Sequence, residues 1–408
     1  MLFFNMAWRN VWRNRRRSLL TVLAISLGLA FNIFMRAIGD GFHEQMVDNS
    51  VRSHIGHLEV HRAGYHDDPG INKTLPAPEE VARAIQTLPA LRGYSLRVLG
   101  DGLASTAENS AGVAIVGIDP ARERTVTTIN RGMVKGEYLR EGMARPILIG
   151  DRLAVNLKAG LDDKVVLLVQ AADGSMGADL FRVVGIFRSG SPELDGGVAF
   201  VLRQDAQSLF SLQNRVTEAV ILLDSSRAVP AAQRTLQSKL GGRNVEVLTW
   251  YEVEPFLLQF IQLDDAFFYI IVVFFFVVIS IGILNTIMMS VFERVREFGV
   301  MMALGTKPRQ IIKLVVEEAF LLALVGAVIG SAIGVAASIY FAREGMNLSS
   351  WAEGAAALGM TSTVVYTKLT AANVVLSNLS VLAVVMLVGL YPAMHASRLR
   401  PVEAIRHV

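Results

Sequence analysis

Four apolar runs, each long enough to cross a bilayer, are spread unevenly along this chain, and that spacing limits its fold more than any other feature. Residues 18–38 stand alone near one end. Residues 267–291, 314–341 and 374–394 follow only after about 225 largely polar residues. A helix crosses a hydrocarbon core of about 30 Å with roughly 20 residues. A block of about 225 residues is the size of one or two folded domains. The chain is therefore read as a membrane protein with four transmembrane α-helices and a large α+β domain, the head, between helices 1 and 2.

The basic residues set the orientation. Residues 1–17 hold Arg9, Arg13, Arg15, Arg16 and Arg17 with no acid, and 293–313 hold Arg294, Arg296, Lys307, Arg309 and Lys313. The tail adds Arg398, Arg400 and Arg406, whereas 342–373 has only Arg343 and Lys368. By the positive-inside rule both termini and the 293–313 loop face the cytoplasm. The layout expected is a multi-pass protein of a bacterial inner membrane with a periplasmic head. A net charge of only +3 offers no field for nucleic acid. With no cysteine, the head must stand without disulfides. The first run is too long for a signal peptide and is read as a retained anchor.

The expected boundaries are a cytoplasmic amphipathic helix at 1–17, spans at 18–38, 267–292, 314–341 and 374–394, and a head at 39–266. A cytoplasmic loop at 293–313, an outer loop at 342–373 and a cytoplasmic tail at 395–408 complete the chain. Trp8 and Trp12 lie four apart opposite arginines, which suits either a helix in the headgroup layer or simple stop signals beside span 1. In the head, the patterns run β-α-β-β over 54–119 and β-α-β over 216–252, a split α+β subdomain. Between the halves, 120–215 carries short strands at 146–150, 164–169, 181–187 and 198–202 and is read as an inserted β subdomain. A stalk helix at 253–266 then continues without a breaker into span 2. Gly326, Gly330 and Gly334 give span 3 a small-residue face for close helix packing.

None of the common hydrolase signatures is present. Gly-Lys never occurs, so there is no P-loop; there is no G-x-S-x-G elbow, and His43-Glu44 lacks the second histidine of a zincin. His54, His57, His61 and His66 cluster near Glu59, Asp67 and Asp68. His57, Glu59 and His61 share one strand face, which fits zinc or a plain packed face. One strand rarely closes a tetrahedral set, so no metal is assigned. Within the spans only Asn32 and Asn285 sit at mid-depth, while Arg36, Glu317 and Glu318 lie near the ends, which argues against a proton relay. Phe256, Phe260, Phe267 and Phe274 recur at four- and seven-residue spacing and form one stripe. Two readings of it stand: a greasy surface for a lipid chain, or ordinary packing.

Two segments carry a family resemblance. Residues 285–299 (NTIMMSVFERVREFG) and 303–311 (ALGTKPRQI) resemble the cytoplasmic signature of the MacB/FtsX/LolC-type ABC transporter permeases, and 390–406 looks like the tail of the same family. Residues 116–120 (VGIDP), 147–150 (ILIG) and 193–196 (ELDG) look most like its lipoprotein-releasing LolC/LolE branch. The resemblance implies a permease, not itself an enzyme, that pairs with a second permease, the same chain or a homologue. Two copies of a separate ATPase would bind the ATP and magnesium. The split subdomain would be porter-like. The segment between spans 2 and 3 would be a coupling helix docked in the ATPase, through Glu293, Arg294, Arg296, Glu297, Gly299, Met301, Ala303, Leu304 and Gly305.

On the same basis the cargo would be a lipoprotein or related lipidated molecule, moved toward a periplasmic carrier by mechanotransmission through the stalk. Its acyl chains would rest near Phe256, Phe260, Phe267, Phe274, Phe31 and Met35. Exposing about forty methylenes to water at about 0.8 kcal/mol each is beyond a single ATP cycle, so the chains must move between apolar shelters. Two alternatives stay open: MacB-like export of peptides, antibiotics or lipids, and FtsX-like regulation of a periplasmic hydrolase.

Overall fold

The computed structural model describes residues 6, 7, 9, 13, 15–351 and 364–398, so Trp8, Trp12 and the end of the tail motif lie outside the described residues. It separates into two units: a head of Glu44–Phe260 with Leu348–Thr363, and a helical unit of Met1–His43, Ile261–Asn347 and Val364–Val408. In chain order the elements begin with α1 (Arg15–Ser50), closed by a π turn (Val51–Ile55), then β1 (Leu58–Arg62), α2 (Pro78–Gln86), β2 (Leu91–Ser105), β3 (Ser110–Ile118) and α3 (Pro120–Val126). They continue through β4 (Met133–Gly136), β5 (Pro146–Gly150), α4 (Asp151–Leu157), β6 (Lys164–Gln170), β7 (Met176–Phe187), α5 (Pro192–Gly197), β8 (Val198–Leu202) and α6 (Arg203–Leu209). Next come β9 (Glu218–Leu223), α7 (Val229–Leu240), β10 (Val245–Thr249), α8 (Trp250–Val253), α9 (Pro255–Glu293), α10 (Val295–Ala303), α11 (Pro308–Glu344) and α12 (Ala371–Ser397).

In the head, β10-β1-β9-β2 form an antiparallel sheet in the order of a ferredoxin-like β-α-β-β-α-β unit. Its two helices, α2 and α7, bury one stripe each: Val81, Ala84 and Ile85 on the first, Val229, Ala232, Leu236 and Leu240 on the second. That period fits apolar residues recurring at three- and four-residue steps. The 15-residue β2 serves two sheets. Leu91–Arg97 pairs with β9, and from Val98 onward the strand pairs with β3. The end of β2 also pairs with β6, so β2-β3-β8-β5-β7-β6 close into a six-stranded barrel around Ile115, Ile147, Val165, Leu167, Phe181 and Val201.

This corrects the sequence reading of 54–119 as part of the split half. β3 belongs to the barrel, because the tight turn after Ser105 folds it back on the far half of β2 and its other edge pairs in parallel with β8. At the junction of the two sheets lies Arg97, buried with Glu123 of α3 and Glu218 of β9.

In the helical unit, α1, α9, α11 and α12 carry the apolar runs. Each extends beyond the stretch marked by hydrophobicity alone. α1 has 36 residues, and at 1.5 Å per residue it is about 54 Å long, well beyond a hydrocarbon core. The residues after position 38 are polar but compatible with helix, so apolarity ends before the backbone pattern does. The stalk also starts later than expected: Glu254 is non-helical (φ −117°, ψ 73°), and α9 begins at Pro255. Proline disfavours helical geometry in the residue before it.

Gly326, Gly330 and Gly334 lie against α1, where an added Cβ would sit 2.7 Å from Ile25, 2.6 Å from the Ser26 carbonyl and 3.0 Å from the Ala30 carbonyl. Two buried polar side chains of the unit find partners on neighbouring helices: Ser377 donates to Asn32 at 2.7 Å, and Ser26 donates to the Gly326 carbonyl at 3.1 Å. Only 6% of the apolar window of α9 is buried, against 44% for α11, so α9 offers most of its greasy surface to whatever surrounds it.

Candidate functional site

Three arrangements were expected to carry function: the loop between spans 2 and 3, the phenylalanine stripe, and the histidine cluster. The first is a nine-residue helix, α10, set off from α9 by the non-helical Arg294 (φ −113°, ψ 12°). Its far end is a Schellman closure, with Thr306 N–H donating to Met301 O and Gly305 N–H to Met302 O, both at 3.0 Å. Gly305 takes a φ of +97°, as a left-handed terminator requires, and Pro308 opens α11.

The nine coupling residues named from sequence divide between two faces. Arg294 is only 6% exposed and its guanidinium donates to Glu318 at 2.9 Å and Glu297 at 3.0 Å. Gly299 is buried beside Phe298, and Met301 is half-buried. These residues pack toward the bundle. Glu293, Arg296, Glu297, Ala303, Leu304 and Gly305 are exposed, as is the neighbouring Val300, and Leu304 is 82% accessible. An exposed leucine at the tip of a helix braced by buried ion pairs is a rigid apolar knob. Spacing could not separate the two faces, because α10 is short and polar residues occur on both.

Sequence reasoning also missed two braces. Arg13 lies 2.9 Å from Glu297, and Arg17 lies 2.6 Å from Glu293 while also donating to Ser290 at 2.8 Å. Two arginines of the N-terminal cluster therefore tie α10 and the end of α9. Partial burial alone would raise the Glu297 carboxyl, but hydrogen bonds from Arg13 and Arg294 hold it below the usual range.

The phenylalanines also separate. Phe256, Phe267 and Phe274 lie on the exposed side of α9, the last two 56% and 66% accessible, and Phe260 is half-buried. Phe31 and Met35 do not join them. They line an apolar crevice of about 380 Å³ between α1 and α9, with Phe268, Ile271 and Phe275 opposite. The Phe31 and Phe275 rings are 4.5 Å apart. Phe268 and Phe275 follow Phe267 and Phe274 by one residue, a turn of about 100° around the helix, so the two sets face different ways. At the outer end of the crevice Arg36 lies over Phe268 at 5.4 Å and pairs with Asp265 at 2.7 Å and Asp40 at 3.0 Å. His43 lies 2.8 Å from Asp264.

The four histidines occupy four environments. His66 is exposed, and His54 lies 3.3 Å from Glu254. His61 bonds Glu59 at 2.8 Å and stacks on Tyr65. Glu59, His61 and Glu218 come together, all buried. Burial alone would lower the His61 pKa, but the Glu59 hydrogen bond and the charges of Glu59, Glu218 and Glu246 raise it. Burial raises Glu218, helped by Glu59. Arg97, 3.3 Å from Glu218, already supplies a cation to this cluster.

His57 is different. Its Nδ1 accepts from Leu223 N–H at 3.1 Å, so the ring is held neutral, and burial lowers its pKa from 6.5 to about 4. Because the folded value lies below the unfolded one, this contribution is intact above pH 6.5 and is lost as pH falls toward 4, in all about 3 kcal/mol. His57→Asn presents an oxygen in place of Nδ1 and should flatten the fall in melting temperature between pH 7 and pH 4.5. An unchanged slope would assign the acid sensitivity elsewhere.

Four membrane-crossing helices, a mixed α/β head after the first of them, and a braced knob between the second and third define a permease-type membrane protein. Residues 18–239 match the MacB-like periplasmic core domain and 269–401 match the FtsX-like permease C-terminal domain. The chain belongs to this family, the ABC transporter permeases of the MacB/FtsX/LolC type. It is 27% identical over 414 residues to the pyoverdine export ATP-binding/permease protein PvdT of Pseudomonas syringae pv. tomato, covering 98% of this chain but only 58% of the relative. It is 22% identical over 404 residues to the lipoprotein-releasing system transmembrane protein LolC of Neisseria meningitidis, covering 96% of this chain and 94% of the relative. The periplasmic region of MacB from Actinobacillus actinomycetemcomitans aligns with a TM-score of 0.35 at 11% identity, over 47% of this chain and 87% of that one.

Proposed function

We propose that the chain is the force-transmitting permease of an ATP-driven transporter that lifts a lipidated cargo, a lipoprotein foremost, out of the inner membrane toward a periplasmic carrier. The observation that carries this reading is the apolar crevice between α1 and α9, walled by Phe31, Met35, Phe268 and Phe275. Asn32 is the one polar residue in its lining, its side-chain oxygen taken up by Ser377, and walls otherwise apolar suit an acyl chain, whose methylenes each gain about 0.8 kcal/mol by staying out of water. The exposed face with Phe267 and Phe274 would be the adjoining surface, covered by a second permease or by lipid. On the cytoplasmic side the Val300–Leu304 knob would seat in a separate ATPase that holds ATP and magnesium, two copies to a dimer. Arg294, Arg13 and Arg17 would pass its movement into α9 and α1.

The test couples two variants. Leu304→Asp places a charge on the apolar tip and should lower cargo release by about tenfold while the ATPase keeps its basal turnover. Phe31→Ser with Phe275→Ser should stop lipoprotein release from spheroplasts and leave ATPase association intact. The likeness to the pyoverdine exporter PvdT favours a second reading, export of a small molecule or peptide. Undiminished lipoprotein release in the crevice variant, with export of a small peptide product lost, would replace the first reading by the second.

A further inference from the structure

Beside the apolar packing of Val47 and Val51 near Trp250, one side chain bridges the head ends of α1 and α9. Glu254 Oε2 accepts from Ser50 Oγ at 2.5 Å, and its Oε1 lies 3.3 Å from His54 Nε2. Both contacts bridge about 200 residues of sequence, and all three groups belong to the head. Each stands where a backbone changes course. Ser50 is the last α-helical residue of α1, and His54 lies in the π turn that follows. Glu254 is the single residue between α8 and α9: its N–H donates to Trp250 O at 2.8 Å and its carbonyl accepts from Leu257 N–H at 3.2 Å.

The π turn is anchored to the head independently. Gly56 N–H closes it onto Val51 O at 2.9 Å, and Thr128 N–H donates to Arg52 O at 2.9 Å. Gly56 has φ +64°, and a Cβ there would sit 2.5 Å from Val220 and 2.8 Å from the Ile221 carbonyl, so only glycine fits this exit. Arg52 is occupied by Asp48 at 2.6 Å. The turn before α9 is tied to the head by Trp250 N–H, which donates to His57 O at 3.1 Å, but Pro255 brings no N–H, and Glu254 carries the side-chain link to the π turn.

We infer that Glu254 is a positioning residue, a clasp that fixes the start of α9 against the anchored π turn of α1 so that movement of α9 is delivered to the head rather than lost at a swivel. Its carboxylate is suited to this. Partial burial would raise its pKa, but the His54 and Ser50 contacts bring it below the usual range and keep it charged. The consequence for transport rests on the function proposed above, whereas the clasp itself does not.

The experiment therefore has two readouts on the full chain with its ATPase partner. The native chain has no cysteine, so spin labels at Glu44→Cys and Gln259→Cys, both exposed head positions, report the spacing of α1 and α9 without background. The parent should give one narrow distance. Glu254→Ala should broaden or shift it, Ser50→Ala with His54→Gln should do the same, and Glu254→Gln, which retains an acceptor of the same shape, should restore much of it. Cargo release should fall about tenfold in Glu254→Ala while ATP hydrolysis persists. A parental distance distribution in a Glu254→Ala protein that melts normally would overturn the clasp, and full release by that variant with an altered distance would overturn its part in delivering movement to the head. A parent that releases no lipidated cargo, but whose label distance still depends on Glu254, would refute the transport reading and leave the clasp standing.

Discussion

Arg97→Met should cost the head about 3–5 kcal/mol, the range seen when one partner of a buried charge network is removed. Arg97 is 4% exposed. Its guanidinium donates twice to Glu123, at 2.6 and 3.1 Å, once to Glu218 at 3.3 Å and once to the His54 carbonyl at 2.6 Å. Burial alone would lower its pKa, but Glu123 and Glu218 raise it, so it is charged at every working pH. Without it, Glu123 and Glu218 remain buried together with Glu59 and no strong cation. Domains are stable by only about 5–15 kcal/mol in total, so the variant should melt far below the parent or fail to fold.

Two controls separate charge from shape. Arg97→Met with Glu123→Gln removes an orphan carboxylate along with the guanidinium and should recover part of the loss, because the penalty lies in the unpaired charge. The sign of the pH response is also set. In the single variant the stranded carboxylates have folded pKa values above their unfolded ones, so its deficit relative to the parent should shrink as pH falls toward 4.5. Thermal melts between pH 7 and pH 4.5 test both points. A single variant that melts with the parent at pH 7 would show that the network is dispensable.

Gly330→Leu should have the largest effect in the membrane. The first atom of any side chain at this position meets Ser26 O at 2.6 Å and the Ser26 Cα and Leu29 Cβ at 3.0 Å. Two of these are backbone atoms of α1 and cannot rotate aside, so α1 and α11 must separate. Overpacking of this kind costs about 1–3 kcal/mol, with leucine at the upper end. Gly326→Ala should be milder, since the nearest atoms at 2.7 and 2.8 Å belong to the side chain of Ile25. Gly282→Ala on α9 meets nothing within 4 Å and should be silent. Melting temperatures in detergent should fall in the order Gly282→Ala, Gly326→Ala, Gly330→Leu; equal values for the first and last would remove the close-packing account.

Much of the architecture was readable in residue order because it rests on local rules. Apolar runs of membrane length marked all four spans, since a helix in lipid has to satisfy its own backbone. Short apolar runs between Gly and Asp turns marked β5, β6, β7 and β8, and Gly305 with Pro308 marked the end of α10 and the start of α11. The site was less legible. Phe31 and Met35 are apolar like Phe267 and Phe274 but face Phe268 and Phe275, which one residue of rotation along α9 puts on another surface. Arg294 was placed among the outward coupling residues, although Glu318, 24 positions later, draws it inward. The histidines looked like a cluster because they are close in sequence, but the π turn, the single strand β1 and the turn after it give each a different surrounding.

By itself the sequence determined that this protein crosses a membrane four times, carries a folded head after its first span and has a short terminated helix between its second and third. Those features follow from patterns that each segment holds within a few turns. Only the tertiary structure decided that β3 joins the barrel, that Arg13, Arg17 and Arg294 brace the knob, and that Glu254 holds α1. Each of these is a pairing between residues far apart in the chain. Charge, size and polarity say that a buried arginine or glutamate must find a partner, but which partner it finds is chosen by the packing of the whole domain.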